Sequence, residues 1–118
     1  MTTKELKNFL QSIADAVKIP LFYGEYKTKS NETPKQKYLI WYLNQSDDFF
    51  ADGINFQKIR SFTLQLYSNK KEFETEDNIE AALTEGGFGY NRIDSFISEE
   101  QTHITTYEME FIKNEQQS

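Results

Sequence analysis

The sequence predicts an α+β two-layer sandwich, a mainly antiparallel sheet of about five strands with two helices on one face, in the order α-β-β-β-α-β-β. Three observations carry that expectation. Two stretches repeat apolar residues at the helical spacing of three and four. Five others alternate with period two and are rich in Phe, Tyr, Ile and Thr. One side of those strands is consistently apolar, so both amphipathic helices need the same face for cover.

The first helix rests on Leu6, Phe9, Leu10, Ile13, Ala16 and Val17, one stripe of a 3.6-residue helix, with Lys4, Lys7, Gln11 and Lys18 opposite. Thr2 and Glu5 have capping-box spacing. Ile19-Pro20 ends the helix, because a residue before proline avoids the α region. "PLFYGEY" is a short aromatic strand bent at Gly24. "KTKSNETPKQ" is a loop, too long for a tight hairpin and either mobile or reserved for a partner. In "KYLIWYLNQ" Tyr38, Ile40 and Tyr42 share one face and Leu39, Trp41 and Leu43 the other. Both are apolar, which places the strand centrally or against a partner.

"SDDFFADGINFQ" is a loop turned at Asp52-Gly53. Phe49 and Phe50 are adjacent and point to opposite sides of an extended chain, so one goes elsewhere than the core: onto the domain's own edge or into a subunit contact. "KIRSFTLQLYS" alternates Phe62, Leu64 and Leu66 with Ser61, Thr63, Gln65 and Tyr67, a strand with one buried and one wet face. The second helix is expected from about Asn69, with Glu72 at capping-box distance and Glu72, Glu74 and Glu76 near its positive end. Its stripe is Ile79, Ala82 and Leu83, with Phe73 at the entry. Gly86 and Gly87 supply a left-handed cap. The chain closes on a hairpin turning at Ser98 to Gln101. Tyr107, Met109 and Phe111 face in, and Thr106, Glu108 and Glu110 face out.

At 118 residues this is one domain, expected over 1–113 with a flexible tail at 114–118. Ten Phe and seven Tyr supply large buried area per residue. The absence of cysteine excludes a disulfide framework, a thiolate nucleophile and Cys-ligated metal. No stretch approaches the roughly 20 apolar residues of a membrane span, and an intracellular soluble protein is the expectation. Thirteen basic and nineteen acidic residues give a net charge of −6, which disfavours general nucleic-acid binding. Lys27, Lys29, Lys35 and Lys37 do cluster, as a solvated loop or as a contact for a polyanion.

A search for chemistry finds no catalytic, cofactor or metal site. His103 is the only histidine and has no second ligand for zinc. The acids at Asp47-Asp48, at Glu72, Glu74 and Glu76, and at Glu99-Glu100 read as solvated surface, not as two carboxylates across a cleft. "DDFFADG" lacks the pattern of a calcium loop. "GGFGY" lacks the spacing of a dinucleotide fingerprint, and there is no P-loop. The aromatic inventory, by contrast, exceeds what one sheet face needs. Trp41 and Leu43 on the second face of their strand, one of Phe49 and Phe50, and Tyr67 are left for a minor core or an interface.

The order of these features resembles the tail terminator, or tail-completion, proteins of long-tailed phages and prophages. An amphipathic helix runs into "IPLFYGEY"; then come "YLIWYLN", "FTLQLYSNKKEFETEDNIEAAL" and a hairpin ending in "TTYEMEF". The resemblance covers about residues 3 to 112 and rests on order, length and composition, not on one motif. It implies a non-enzymatic virion protein with no cofactor, made in the host cytoplasm and built into the tail. There a hexameric ring would cap the head-proximal end of the tail tube and meet the head–tail connector. The partners it implies are the tail tube protein, the connector protein and further copies of the chain, the free chain being a monomer or weak oligomer. A lumen that passes DNA is served by acidity. The interface candidates come from the residues themselves: Asp47, Asp48, Phe49 and Phe50 in one loop, Lys29, Lys35 and Lys37 in the other, and Trp41 between. The acidic loop of one subunit meeting the basic loop of the next is the head-to-tail contact that closes rings. A head–tail connector or stopper protein and a small-molecule-binding α+β domain are the alternatives.

Overall fold

The computed structural model describes residues 1–26, 36–44 and 58–113. The expected sites at Lys29, Lys35, Asp47, Asp48, Phe49 and Phe50, and the expected tail, lie outside the described residues.

Helix α1 spans Thr3–Val17. Its start is the expected capping box: the Thr2 hydroxyl accepts from the Glu5 N–H at 3.0 Å, and the Thr2 N–H donates to Glu5 Oε1 at 2.8 Å. It ends at Lys18, which takes the left-handed conformation (φ 60°) while the Ile19 N–H returns to the Ala14 carbonyl at 3.1 Å. Strand β1 is only Leu21–Tyr23, cut short by Gly24 at φ +82°. β2 follows at Lys37–Leu43, β3 at Lys58–Ser68, helix α2 at Phe73–Glu85, β4 at Asn91–Ile97 and β5 at Thr102–Lys113.

The strands form one sheet in the order β1-β2-β3-β5-β4. β1 lies parallel to β2, and every other neighbour is antiparallel. The parallel pair accounts for the long connection over 24–36, since a parallel return needs about a dozen residues or more. β3 and β5 pair along the whole of β3, from Lys58↔Lys113 to Ser68↔His103.

One core joins both helices to one sheet face. Leu6, Leu10 and Ile13 of α1 and Ile79 and Leu83 of α2 pack with Leu39, Phe62, Leu64, Leu66, Tyr107 and Met109. The helices are therefore on the same side, as their patterns require. Phe88 closes the end of this core, 5.3 Å from Phe9 and 5.5 Å from Phe62 between ring centroids.

Helix α2 departs from expectation at both ends. It begins at Phe73 rather than near Asn69, and its N-cap, Glu72, makes no side-chain capping bond. The carboxylate is engaged elsewhere, with Lys37 of β2 at 3.0 Å. At the other end only Gly87 is left-handed, at φ +87°, while Gly86 is right-handed. Gly87 and Phe88 donate back to the Thr84 and Leu83 carbonyls at 3.0 Å, the two bonds of a Schellman motif. Gly86 is required for space: a Cβ there would stand 2.5 Å from Phe9 Cζ.

Candidate functional site

Directly opposed residues share a sheet face, so the register gives the composition of the side that carries no helix. Phe22, Ile40, Gln65, Thr106 and Ile93 form one row across it, and Tyr38, Tyr67, Ile104 and Ser95 the next. Tyr42, Thr63, Glu108 and Asn91 form a third, Ser61 and Glu110 a fourth, and Ile59 and Ile112 end the ladder. The face therefore mixes aromatic and aliphatic residues with polar ones and two carboxylates, and among the described residues its rows hold no lysine or arginine. Ser61, Thr63, Gln65, Tyr67, Glu108 and Glu110 lie on it as expected; the carboxylates are exposed, but Thr63 and Ile40 are buried and the tyrosines half-buried.

Its centre is a chain of rings. Tyr38 and Tyr67 stack at 4.9 Å with 10° between planes. Tyr26 lies 4.7 Å from both Tyr38 and Phe22. The Tyr67 hydroxyl donates to Gln65 Oε1 at 2.9 Å, and Gln65 Nε2 donates to Thr106 Oγ1 at 3.2 Å. Burial, then the neighbouring carboxylate of Glu100 and the phenol of Tyr26, push the Tyr38 hydroxyl above the ordinary phenol range. Tyr67 is raised likewise, by burial first and then by Tyr38, Tyr42 and Glu100. Both stay protonated at neutral pH, and the Tyr67 proton is the one given to Gln65. An edge-stacked, hydroxyl-rimmed aromatic surface is the composition of a protein interface core.

Trp41 is not on this face. It is 5 % exposed and belongs to the helix-covered core, as does the half-buried Leu43. The assignment of those two residues to a surplus of apolar side chains beyond the core face is thereby corrected. The two faces of β2 are both apolar, and the helices took Leu39, Trp41 and Leu43, leaving Tyr38, Ile40 and Tyr42. Trp41 meets Tyr23 edge-on at 4.8 Å and 83°. Lys37 is exposed, but its ammonium pairs with Glu72.

Sequence reasoning also missed a cluster beneath α2. Glu76, read as solvated, is 2 % exposed. Its carboxylate takes Arg92 Nη2 at 2.6 Å, Lys71 Nζ at 2.9 Å and the Thr105 hydroxyl at 3.3 Å. Arg92 also binds Glu80 through Nη1 and Asp94 through Nε at 3.2 Å. Glu80 accepts from the hydroxyls of Tyr107 at 2.8 Å and Tyr90 at 3.2 Å. Burial would lower the Arg92 pKa, but its bond to Asp94 and the surrounding acids raise it. Burial would raise Asp94, but Arg92 and Lys71 hold it below the usual carboxylate range. Burial first and Glu80 second push Tyr107 well above the phenol range. Each group in the cluster is tied to a partner. The arrangement fastens α2 to the β4–β5 hairpin. The signal was present in the spacing, because 76, 79, 80 and 83 lie on one helix stripe.

Among the described residues no three His, Cys, Asp or Glu side chains converge as metal ligands, and no helix is long and apolar enough to cross a membrane. The His103 ring lies 4.6 Å from that of Phe96. An open cleft of about 580 Å³ includes Asn44, Ser61, Asn91, Glu108 and Glu110 in its lining. No model of a known protein family matches the chain, and no curated protein matches it either.

Proposed function

We propose that the chain is a structural assembly protein of the phage tail-terminator type, which closes as a ring on the head-proximal end of a tail tube and joins it to the head connector. The observation that carries the assembly part is the helix-free sheet face. It presents Tyr38, Tyr42 and Tyr67 with Ile59, Ile93 and Ile112, and among the described residues its strand rows hold no lysine or arginine. Three of these, Ile59, Ile93 and Ile112, are exposed, and Ile59 and Ile112 stand directly opposite one another. The terminator part is supported by the resemblance in element order and by the net charge of −6, suited to a ring lumen that DNA must traverse without sticking.

The test is deletion of the gene from the phage or prophage that carries it, followed by electron microscopy of tails. Overlong tails unable to join heads, restored to normal length by supplying the protein, are the expected outcome. Tails of normal length without the protein overturn the terminator role. Label at the portal instead of the tube end identifies a connector or stopper. The small-molecule reading has the 580 Å³ cleft in its favour, with Asn44, Ser61 and Glu108 as polar groups on one wall. Calorimetric binding of a small polar ligand, abolished by Glu108→Ala, would favour it.

A further inference from the structure

Among the described residues β4 pairs with β5 alone and forms one edge of the sheet. It is seven residues long and has no proline or lysine; its charges, Arg92 and Asp94, are of opposite sign, so a second copy of the strand laid antiparallel can match them instead of being repelled. Two large apolar side chains stand exposed on it, Ile93 at 45 % and Phe96 at 49 %. The strand and its preceding residue read Tyr90-Asn91-Arg92-Ile93-Asp94-Ser95-Phe96. Read outward from Ile93 in both directions the pattern is charge, small polar and aromatic, with the two charges of opposite sign. Laid antiparallel against itself about Ile93, the stretch pairs Arg92 with Asp94, Asn91 with Ser95 and Tyr90 with Phe96.

From this we infer that β4 is a self-association edge, where two copies of the chain pair antiparallel about a two-fold axis through Ile93 and make one continuous sheet. The contact is isologous: each copy offers the same strand. Opposed residues share a face, so the two Ile93 side chains meet on the helix-free side. Arg92 and Asp94 meet on the helix side, twice. Those groups already attract one another within the strand, Nε to Oδ1 at 3.2 Å, so the pairing exchanges a local partner for the same partner on the other copy. Opposite charges facing across the strands fix this register, and a slip by two residues sets Asp94 against Asp94, or Arg92 against Arg92, and replaces both attractive pairs by a like-charge contact. The inference stands on the edge itself and does not depend on the tail-terminator reading.

The chain has no cysteine, so engineered thiols report on the contact without background. Under mild oxidation Ile93→Cys should form a disulfide-linked dimer about tenfold or more faster than Glu74→Cys on the exposed side of α2, because pairing raises the local thiol concentration. A mixture of Asn91→Cys and Ser95→Cys should give the mixed dimer in preference to either homodimer, which tests the register. Sedimentation should show a wild-type dimer that dissociates on dilution. Ile93→Lys, which sets two ammonium groups together, should be monomeric, with the melting temperature that wild type shows when diluted to the monomer. Wild type that is monomeric at the concentration of the cross-linking experiment, or Ile93→Cys no faster than Glu74→Cys, overturns the inference. Homodimers of Asn91→Cys or Ser95→Cys that match the mixed dimer overturn the register. Tail length in the deletion experiment is a separate readout and is not altered by either result.

Discussion

Thr2 and Glu5 decide where α1 begins, and each does so through the other's backbone. With both bonds near 3 Å, two of the four donors that a helix start leaves free are satisfied. Thr2→Ala removes the hydroxyl that accepts from the Glu5 N–H and leaves the backbone N–H that donates to the Glu5 carboxylate; the expected loss is about 1 kcal/mol by urea denaturation. The Glu5 carboxyl is held below its usual range by the Thr2 backbone N–H and then by the Thr2 hydroxyl. A depressed carboxylate stabilises the fold above its unfolded pKa of about 4.3, and that contribution disappears as pH falls through the lower folded value. The Glu5→Gln stability curve should therefore be flatter than wild type in that acid window and parallel to it near neutrality. Parallel curves throughout would mean the cap does not set the Glu5 pKa. Gly86 poses a different residue-scale problem. Its backbone is ordinary right-handed helix, so alanine suits the dihedrals, but the added carbon meets the Phe9 ring. Gly86→Ala should cost on the order of 1–3 kcal/mol from overpacking. Most of that should return when Phe9→Leu is added, because the clash is with one side chain. A Gly86→Ala cost unchanged by Phe9→Leu would locate the strain in the backbone instead.

Helix α2 shows what period and composition reveal and what they hide. Glu72, Glu74 and Glu76 look alike in sequence, yet they do three things: pair with Lys37, face solvent, and anchor the helix to β4 and β5. Glu76→Ala leaves Arg92 and Lys71 without a buried counter-charge, and removing one partner of a buried pair costs about 3 kcal/mol or more. Glu74→Ala, two residues away and exposed, should stay within about 0.5 kcal/mol. Equal effects in thermal melts would mean the cluster is not holding the helix. The stripe of Ile79 and Leu83 was legible because it is apolar. Glu76 was not, because a carboxylate on the core stripe is legible only once its partners are known, and Arg92 lies 16 residues away in sequence. The start of α2 was misplaced for a related reason. Glu72 has the right spacing to cap, but its partner came from another strand. α1, whose cap is local, starts where its capping box places it; it ends at Val17 and not at Ile19-Pro20, and Ala16 of the expected stripe is exposed while Ala14 is buried.

For the whole molecule, the layer arrangement followed from one requirement, that two amphipathic helices share one apolar face. What sequence patterning left open was which face of β2 that would be, since Leu39, Trp41 and Leu43 are no more apolar than Tyr38, Ile40 and Tyr42. The register with β3 resolves it by setting Trp41 opposite Leu64 and Tyr38 opposite Tyr67. The aromatic surplus therefore survives, but on tyrosines in place of Trp41. This relocation changes what an assembly experiment should mutate. Ile59 and Ile112 face each other at the far end of the helix-free side and are 53 % and 49 % exposed. Ile59→Lys removes little buried area, so thermal stability should move by about 0.5 kcal/mol or less. On the assembly reading the new ammonium must be desolvated against a neighbouring subunit, where an unpaired charge is costly. Purified Ile59→Lys protein should then fold normally but fail to restore tail length in the deletion strain, whereas Glu74→Lys on the helix side of the sandwich should restore it. If Ile59→Lys caps tails as well as wild type, this end of the face is not a contact. If both variants fail, the assembly contacts extend over the helix layer too, and the asymmetry between a helix-covered and a helix-free side is not what directs them.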